Sequence, residues 1–301
     1  MQRISPAQKT ASLRELLRTN AFIVAPAVHD IFSLRLVEQA GFRSACISGA
    51  MLSYSLLGIP DIGLLTLTEC VEHCRRLTRA SSIPITADGD AGYGNPRGVH
   101  YAVELFEEAG AAGLNIEDQV VPRRWGSTAG KEVVSVGEMV AKIDAARRAR
   151  RDGNFLIIAR TDAFACESTG QVIDRARAYQ DAGADMLLPV APRTREDIRR
   201  LARALEIPVT LSAGTGLAPG ASCANVPLSQ LPELGVRRAS LTTLLPGASV
   251  AGMKASLESV QRRLRGSESS EGIDAAVSGA ASLDGLFDAA AQSAFEAALL
   301  R

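Results

Sequence analysis

EEAGAAGLNIE, at residues 107–117, ends a predicted helix at a glycine and continues into a short apolar strand. Two other stretches repeat this pattern, EQAGFRSACIS at residues 38–48 and QDAGADMLLPV at residues 180–190. Because the same succession of helix, glycine and strand recurs along the chain, the sequence predicts a repeated βα unit.

Apolar runs rich in Val, Ile and Leu predict eight strands, which are separated by segments of helical period. Eight parallel strands joined by helices close most simply into a barrel. The predicted fold class is therefore α/β, a (β/α)8 TIM barrel over residues 1–265 that forms the catalytic domain. The predicted strands cover residues 22–27, 44–48, 84–88, 113–117, 155–160, 185–190, 207–211 and 237–241.

Residues 266–301 follow the predicted barrel as a linker and a C-terminal helical extension. A polar stretch rich in Gly and Ser leads into FDAAAQSAFEAALLR at residues 287–301, whose many alanines suit close helix packing. We expect this helix to pack in an oligomer, where it docks on a neighbouring subunit. A frayed helix at the surface is the alternative.

The composition is that of a globular protein with a large core. The 301 residues are 47% apolar, and 33 Lys and Arg balance 33 Asp and Glu. With a net charge of +0, neither nucleic acid nor a membrane surface is expected as a partner, and the charged first twenty residues do not resemble a signal peptide. Five unpatterned cysteines indicate reduced thiols, so the predicted location is cytoplasmic.

Acidic side chains gather at the ends of the third and fourth predicted strands. Asp88 and Asp90 are two residues apart, so extended backbone points both to one face, where they repel unless a cation lies between them. Glu117 and Asp118 end the neighbouring strand without a nearby histidine. Oxygen ligands favour Mg²⁺, with Mn²⁺ as the alternative, over zinc. The competing interpretation is that these carboxylates cap turns and helices.

Groups that could bind an anion end two other predicted strands, at the end of a barrel where active sites lie. Arg160 faces the acidic strands, where it can bind a substrate carboxylate through two hydrogen bonds or pair with Asp162 for structure alone. Ser48, Gly49 and Ala50 offer a hydroxyl and backbone amides for an oxyanion. The sequence therefore predicts a small carboxylate as the substrate.

Six phrases resemble the isocitrate lyase and phosphoenolpyruvate mutase superfamily, from about residue 20 to residue 265. The resemblance implies a magnesium-dependent barrel whose final helix is swapped between subunits, in a homotetramer made of two helix-swapped dimers. The phrases, in order at the predicted strand ends, are SGA (48–50), GIPDIGLLTLTE (58–69), ITADGDAGYGN (85–95), NIEDQVVP (115–122), ARTDA (159–163) and GADMLLP (183–189).

The resemblance also implies roles for single residues. The implied metal ligands are Asp88 directly and, mainly through bound waters, Asp61, Asp90 and Glu117. The implied substrate contacts are Ser48, Gly49, Ala50 and Arg160, with Tyr54 and Trp125 shaping the pocket. The residues expected to take part in catalysis are Arg160, Asp61, Glu117 and Arg124.

The loop after the fourth predicted strand departs from the family pattern. Lyases of this superfamily carry Lys-Arg-Cys-Gly-His there, and the Cys is the catalytic acid. This chain has Arg123, Arg124, Trp125, Gly126 and Ser127. Trp has no proton to give near neutral pH, so a thiol-dependent lyase step is not expected. Decarboxylation needs no thiol, because water can protonate the enolate that remains after loss of CO₂.

The predicted function is Mg²⁺-dependent cleavage of a carbon–carbon bond in a small 2-oxo or 2-hydroxy dicarboxylate, oxaloacetate-like, through a metal-stabilised enolate. Three alternatives stay open. The first is a lyase of the 2-methylisocitrate or 2,3-dimethylmalate type with altered loop chemistry. The second is a phosphonate enzyme of the phosphonopyruvate or phosphoenolpyruvate type. The third is a non-catalytic barrel that binds a dicarboxylate.

Overall fold

A computed structural model describes residues 4–19, 21–123, 130–214, 226–266 and 273–300. The chain divides into two compact units, Met1–Leu244 and Leu245–Arg301. The division between a barrel and an extension at residue 265 stays a prediction. Within the described ranges, no helix is both long enough and apolar enough to cross a lipid bilayer.

The first unit contains a sheet of eight parallel strands. They are β1 (Ile23–Pro26), β2 (Ala45–Cys46), β3 (Ile85–Asp88), β4 (Gly113–Glu117), β5 (Leu156–Thr161), β6 (Met186–Pro189), β7 (Val209–Ser212) and β8 (Val236–Leu241). Strand β1 pairs with β8, and the pairing then runs in sequence from β8 down to β2. A parallel bridge between Ala27 and Cys46 joins the two edges, so the barrel is nearly closed and the predicted fold class is confirmed.

Helices alternate with the strands, as the βα repeat predicts. They are α1 (Pro6–Arg18), α2 (Ile31–Gln39), α3 (Gly49–Leu52), α4 (Leu67–Ala80), α5 (Pro96–Glu108), α6 (Val136–Ala149), α7 (Thr169–Asp181) and α8 (Arg195–Ala204). Side-chain caps fix where several of them begin. Thr66 and Ser168, for example, each accept a backbone N–H from the first turn of the following helix, and a first-turn side chain bonds back to the cap.

Strand β4 has the predicted bounds, and the other seven strands differ from prediction by one or two residues at one or both ends. Three of them illustrate the differences. Strand β2 is limited to Ala45–Cys46 because the chain turns at Ser48, which precedes the first residue of α3. Strand β7 begins at Val209 instead of residue 207, and Pro208 between them has no N–H to give to a sheet. Strand β5 continues by one residue to Thr161.

Helix α1 covers the amino-terminal end of the barrel. Leu13 of this helix is fully buried in a cluster with Ile23, Leu156 and Met186, which lie at the starts of β1, β5 and β6. Apolar packing therefore fills this end. The carboxyl ends of the strands are left for polar groups, as in other (β/α)8 enzymes.

The second unit is helical in its described part. Its elements are α9 (Leu244–Leu264), which begins at the last residue of the first unit, α10 (Ile273–Ala281), α11 (Leu283–Leu286) and α12 (Ala289–Leu299). Exposed apolar side chains on α9 are spaced three or four residues apart, at Val250, Met253, Leu257 and Val260. This spacing places them on one face of the helix.

Candidate active site

Carboxylates converge where β3 and β4 end. Asp88 is the last residue of β3, and Glu117 is the last residue of β4. The backbone between them is held close, since Gly89 N–H donates to Asn115 O at 2.9 Å and a Cβ on Gly89 would lie only 2.8 Å from that oxygen. Glycine alone fits this approach. Glu117 N–H donates in turn to Asp90 O at 2.8 Å, which fixes Asp90 beside Glu117.

Arg123 bridges three of the predicted metal ligands. Its Nη1 lies 2.6 Å from Asp61 Oδ2 and 2.8 Å from Asp90 Oδ1, and its Nε lies 3.5 Å from Glu117 Oε1. The Arg123 side chain is 9% exposed, so solvent and salt screen these ion pairs only weakly. In this conformation the guanidinium takes the place that a cation would otherwise occupy among the three carboxylates.

Arg160 continues this network on the other side of Glu117. Its Nη2 lies 2.9 Å from Glu117 Oε2, and its Nε donates to Asp162 Oδ2 at 3.0 Å. Lys131 Nζ donates to the other oxygen of Asp162. Burial alone would lower the pKa of Arg160, but Asp162 and Glu117 raise it well above its ordinary value, so the guanidinium stays charged.

Burial raises the pKa of the paired carboxyl groups. It raises the pKa of Glu117 to about 7, although the charges of Arg160 and Arg123 oppose the shift. Burial and then the negative charge of Asp88 raise the pKa of Asp90 to about 6. These shifts bring the pKa values of Glu117 and Asp90 nearer to neutral pH than those of ordinary carboxyl groups, which suits groups that handle a proton in a reaction.

Asp88 differs from its acidic neighbours in having no cation beside it. Its Oδ2 accepts from Gly49 N–H at 3.2 Å, and its Oδ1 accepts from Asp90 N–H at 3.3 Å. No Lys, Arg or His nitrogen of the described residues lies within 4.0 Å of the carboxylate. Ser48, which is largely buried, lies next to Gly49 at the start of α3.

The carboxylates at this end of the barrel suit a hard divalent ion that is bound mostly through water molecules. In the part of the chain that the structure describes, no three Asp, Glu, His or Cys side chains are arranged to hold a metal ion together. Mg²⁺ commonly takes one or two carboxylates directly and keeps several waters. Asp88 as the one direct ligand fits this habit. Arg160 Nη2 lies 2.9 Å from Glu117 Oε2 but makes no well-aligned hydrogen bond to it in the described structure, so this buried oxygen can still accept from such a water.

Most of the predicted site residues come together at this end of the barrel. Those that do are Ser48, Gly49, Ala50, Asp61, Asp88, Asp90, Glu117 and Arg160. Tyr54 lies in a short π-helical segment, Ser53–Leu57, and is 46% exposed. Arg124 and Trp125 lie outside the described residues. The catalytic, substrate and metal roles of all these residues stay predictions.

Three residues of the network, Arg123, Asp162 and Lys131, were not among the predicted site residues. Asp162 was considered only as a structural partner of Arg160, although their spacing of two residues on a strand places both side chains on one face. No sequence pattern indicated Lys131, because its contact with Asp162 joins residues 31 positions apart, with α6 and β5 between them. Local sequence pattern carries no information about such a contact.

A cavity of about 660 Å³ adjoins the carboxylates. Its charged lining residues are Asp90, Glu117, Arg123, Glu138 and Lys142. Most of its other lining residues are apolar, among them Leu65, Val120 and Val134. This volume and this mixture of apolar and polar lining groups are typical of a pocket for a small molecule.

The model of the phosphoenolpyruvate phosphomutase family matches residues 13–261. The chain belongs to this family. The predicted membership of the isocitrate lyase and phosphoenolpyruvate mutase superfamily is thereby confirmed.

Three members of the wider superfamily illustrate the range of similarity. The chain is 40% identical to 2,3-dimethylmalate lyase of Eubacterium barkeri, over 191 aligned residues that cover 64% of this chain and 66% of the relative. It is also 40% identical to oxaloacetate decarboxylase of Rhodopseudomonas palustris (strain TIE-1), over 205 aligned residues that cover 68% of this chain and 71% of the relative. The solved structure of phosphonopyruvate hydrolase with oxalate and Mg²⁺ has a TM-score of 0.84 and 28% identity, over 99% of this chain and all of that one.

The prediction of an enzyme from a family of carbon–carbon lyases is confirmed by these similarities. The two relatives at 40% identity are a lyase and a decarboxylase, and both act on carbon–carbon bonds. The substrates of these two relatives differ, so family membership does not identify the substrate of this chain. The substrate has to be inferred from the residues that line its own site.

Proposed function

We propose that this protein cleaves a carbon–carbon bond in a small 2-oxo or 2-hydroxy dicarboxylate with Mg²⁺, or Mn²⁺, as its metal. Decarboxylation of an oxaloacetate-like substrate is the favoured reaction. One observation carries the proposal. The Asp88 carboxylate, beside Ser48 and Gly49, has no cationic nitrogen of the described residues within 4.0 Å, whereas Arg123 and Arg160 pair directly with the neighbouring acidic groups.

Asp88 would hold the metal directly, and Asp61, Asp90 and Glu117 would hold its waters. When bound, Mg²⁺ supplies Lewis-acid stabilisation of the negative charge that develops on the substrate oxygen. The relatives named above support this assignment, since one was solved with Mg²⁺ and oxalate, a small dicarboxylate.

The chain's own groups position the substrate and manage its proton. Arg160 stays charged, and its Nη1 makes no hydrogen bond within the described part of the chain, so it can donate to a substrate carboxylate. The Ser48 hydroxyl and the backbone N–H of Ala50 can bind a second carboxylate. Water delivers the proton to the enolate, and Glu117, with a pKa raised to about 7 by burial, can exchange it.

The decisive assay follows pyruvate release from a panel of oxaloacetate, 2,3-dimethylmalate, 2-methylisocitrate and phosphonopyruvate. We expect metal-dependent release from oxaloacetate at least about a hundredfold faster than with free Mg²⁺ at the same concentration. EDTA should abolish it. Oxaloacetate breakdown no faster than with Mg²⁺ alone would rule out the decarboxylase.

A lyase for a branched hydroxy diacid is the second candidate. The apolar wall of the cavity, at Leu65, Val120 and Val134, could accept an alkyl branch next to the carboxylates. In that case pyruvate would be released from 2,3-dimethylmalate or 2-methylisocitrate and not from oxaloacetate in the same assay. The open phosphonate alternative would instead consume phosphonopyruvate alone, with release of pyruvate and phosphate by a hydrolase or formation of phosphoenolpyruvate by a mutase.

We also propose that the protein is a homo-oligomer assembled through its C-terminal helices, as a dimer of helix-swapped dimers. The exposed apolar face of α9 supports this, because a single-sided row of large apolar side chains is typical of a buried helix interface. Met253 and Leu257 lie at the middle of that face, at 59% and 66% exposure.

Two acidic residues on the α9 face should break the oligomer. The double variant Met253→Glu/Leu257→Glu is expected to elute as a smaller species in light-scattering chromatography, because burying two carboxylates in an apolar interface is costly. Lys254→Glu is the matched control, since it changes the charge by the same two units at an adjacent position. Equal mass for wild type and the double variant would contradict the assembly.

A further inference from the structure

A charged side chain lies inside the barrel, below the candidate active site. Arg238, on β8, is 2% exposed and is among the largest fully enclosed side chains of the protein. Its guanidinium crosses the barrel interior toward β3, where Nη2 donates to Thr86 Oγ1 at 2.8 Å. Apolar residues are the usual filling of this position in a (β/α)8 barrel.

The surroundings of Arg238 hold no counter-ion. Its Nη1 donates weakly to Thr210 Oγ1 at 3.5 Å, and its Nε has no hydrogen-bond partner in the described structure. Among those same residues no carboxylate oxygen lies within 4.0 Å. The nearby thiol of Cys46 does not serve, because burial raises its pKa to about 11 and keeps it neutral.

An unpaired buried cation lowers the stability of the folded protein. We therefore expect an anion near Arg238 that compensates its charge when the protein is at work. The strand register says where that anion would be. Thr86 pairs with Cys46, and Asp88 lies two residues further along β3 on the same face. Ser48 lies just past the end of β2, next to Gly49, whose N–H donates to Asp88 Oδ2. The guanidinium is thus one layer, about 7 Å, beneath the Asp88 and Ser48 positions.

We infer that Arg238 is a positioning residue that holds an anionic ligand, a small dicarboxylate, in the mouth of the barrel by its charge from below. This inference rests on the proposed function, which places a carboxylate over Ser48. Arg238 does not touch the ligand. It raises the electrostatic potential across one layer of side chains, in an interior where charges are weakly screened.

Asp88 is the other conceivable counter-charge, and the two roles differ in a measurable way. A divalent cation on Asp88 would more than cancel that carboxylate, so the charge of Arg238 would then act on the ligand. If Arg238 served Asp88 alone, removing it would leave oxalate binding at saturating Mg²⁺ unchanged. If it serves the ligand, removing it would weaken oxalate binding and leave metal binding equal or tighter, because a repelling positive charge is lost.

The test measures binding of Mg²⁺ alone, and then of oxalate at saturating Mg²⁺, by calorimetry. In Arg238→Met we expect oxalate affinity to fall about tenfold or more, which is about 1.4 kcal/mol, while Mg²⁺ affinity is equal or tighter. The thermal midpoint should be equal or higher, since an apolar side chain replaces an unpaired charge. Arg238→Lys should keep most of the oxalate affinity.

Two further variants control for poor folding and for the loss of one positive charge. Arg238→Gln removes the charge but can still donate to Thr86, so it should lose oxalate affinity as Arg238→Met does even if the latter folds poorly. Arg237→Met, at the adjacent position on the opposite face of β8, removes the same charge and should bind oxalate like wild type.

The contrary outcomes are separable. Unchanged oxalate affinity in Arg238→Met and Arg238→Gln would overturn the role of Arg238 and leave the proposed function standing. Weaker Mg²⁺ binding in these variants would also overturn it, because Arg238 would then support Asp88. A wild-type protein that binds no oxalate with Mg²⁺ would overturn the proposed function, and this inference with it.

Discussion

Replacing Asp88 with Asn is expected to lower turnover by at least about a thousandfold and to abolish Mg²⁺ binding. The reason is that Asp88 is the candidate ligand without a cationic partner, so its charge is the one most available to a metal. The fold should survive, because in the described structure the carboxylate accepts only two backbone N–H groups and the amide oxygen can still accept one of them. Calorimetry with Mg²⁺ and the pyruvate assay measure the two effects.

Asp61→Asn is the graded comparison for Asp88→Asn. The Asp61 carboxylate is already paired with Arg123 at 2.6 Å, and its predicted contact with the metal runs through water. Its loss should therefore cost much less turnover than the loss of Asp88. Equal effects of the two substitutions, or undiminished turnover in Asp88→Asn, would contradict the assignment of Asp88 as the direct ligand.

Replacing Asp162 with Asn should destabilise the protein by about 3–5 kcal/mol, as breaking a buried ion pair does. The Asp162 side chain is fully enclosed and accepts from both Lys131 and Arg160, so the substitution leaves two buried cations with a neutral amide between them. Denaturant unfolding at pH 7 measures the loss.

The loss should depend on pH with a definite sign. Burial would raise the pKa of Asp162, but Arg160 and Lys131 hold it below its ordinary value. A carboxylate of lowered pKa stabilises the fold fully above its unfolded pKa of about 3.9 and loses that contribution as the pH falls further. The difference between wild type and Asp162→Asn should thus be constant from about pH 5 to 8 and shrink below about pH 4.

Asp144→Asn is the matched control for Asp162→Asn. Asp144 also accepts from two arginines, Arg147 and Arg148, which lower its pKa, but this carboxylate lies at the surface. Exposed pairs contribute little, so the unfolding midpoint should hardly move. A midpoint shift in Asp162→Asn no larger than in Asp144→Asn would disprove the structural role of the buried pair.

The fold was predictable because its signals are local. The glycine stop and the following apolar run at residues 107–117 foretold both the end of α5 and the span of β4. Errors arose where a local event cut a strand short. Strand β2 ends at Cys46 because the chain enters helix α3 directly after Ser48, and the apolar pattern does not show where the chain leaves the sheet.

The candidate site was predictable in its acidic part and not in its cationic part. Asp88, Asp90 and Glu117 follow strand ends, and strand ends meet at one edge of a barrel. The positions of Arg123 and Lys131 depend on how a loop returns over that edge. Arg238 could have been noticed as a charge in an apolar strand, but two adjacent arginines leave open which one faces inward until the register is known.

The alternation of charges from Lys131 through Arg160 to Arg123 has a consequence for how ligands bind together. Five carboxylates, those of Asp61, Asp88, Asp90, Glu117 and Asp162, lie near these three cations and above Arg238, so the fully ionised groups carry a net charge of −1. The proposed divalent ion would turn this charge positive, and the mouth would then attract an anion that it repels without the metal. Under the proposed function, metal and dicarboxylate should therefore each bind more tightly when the other is present.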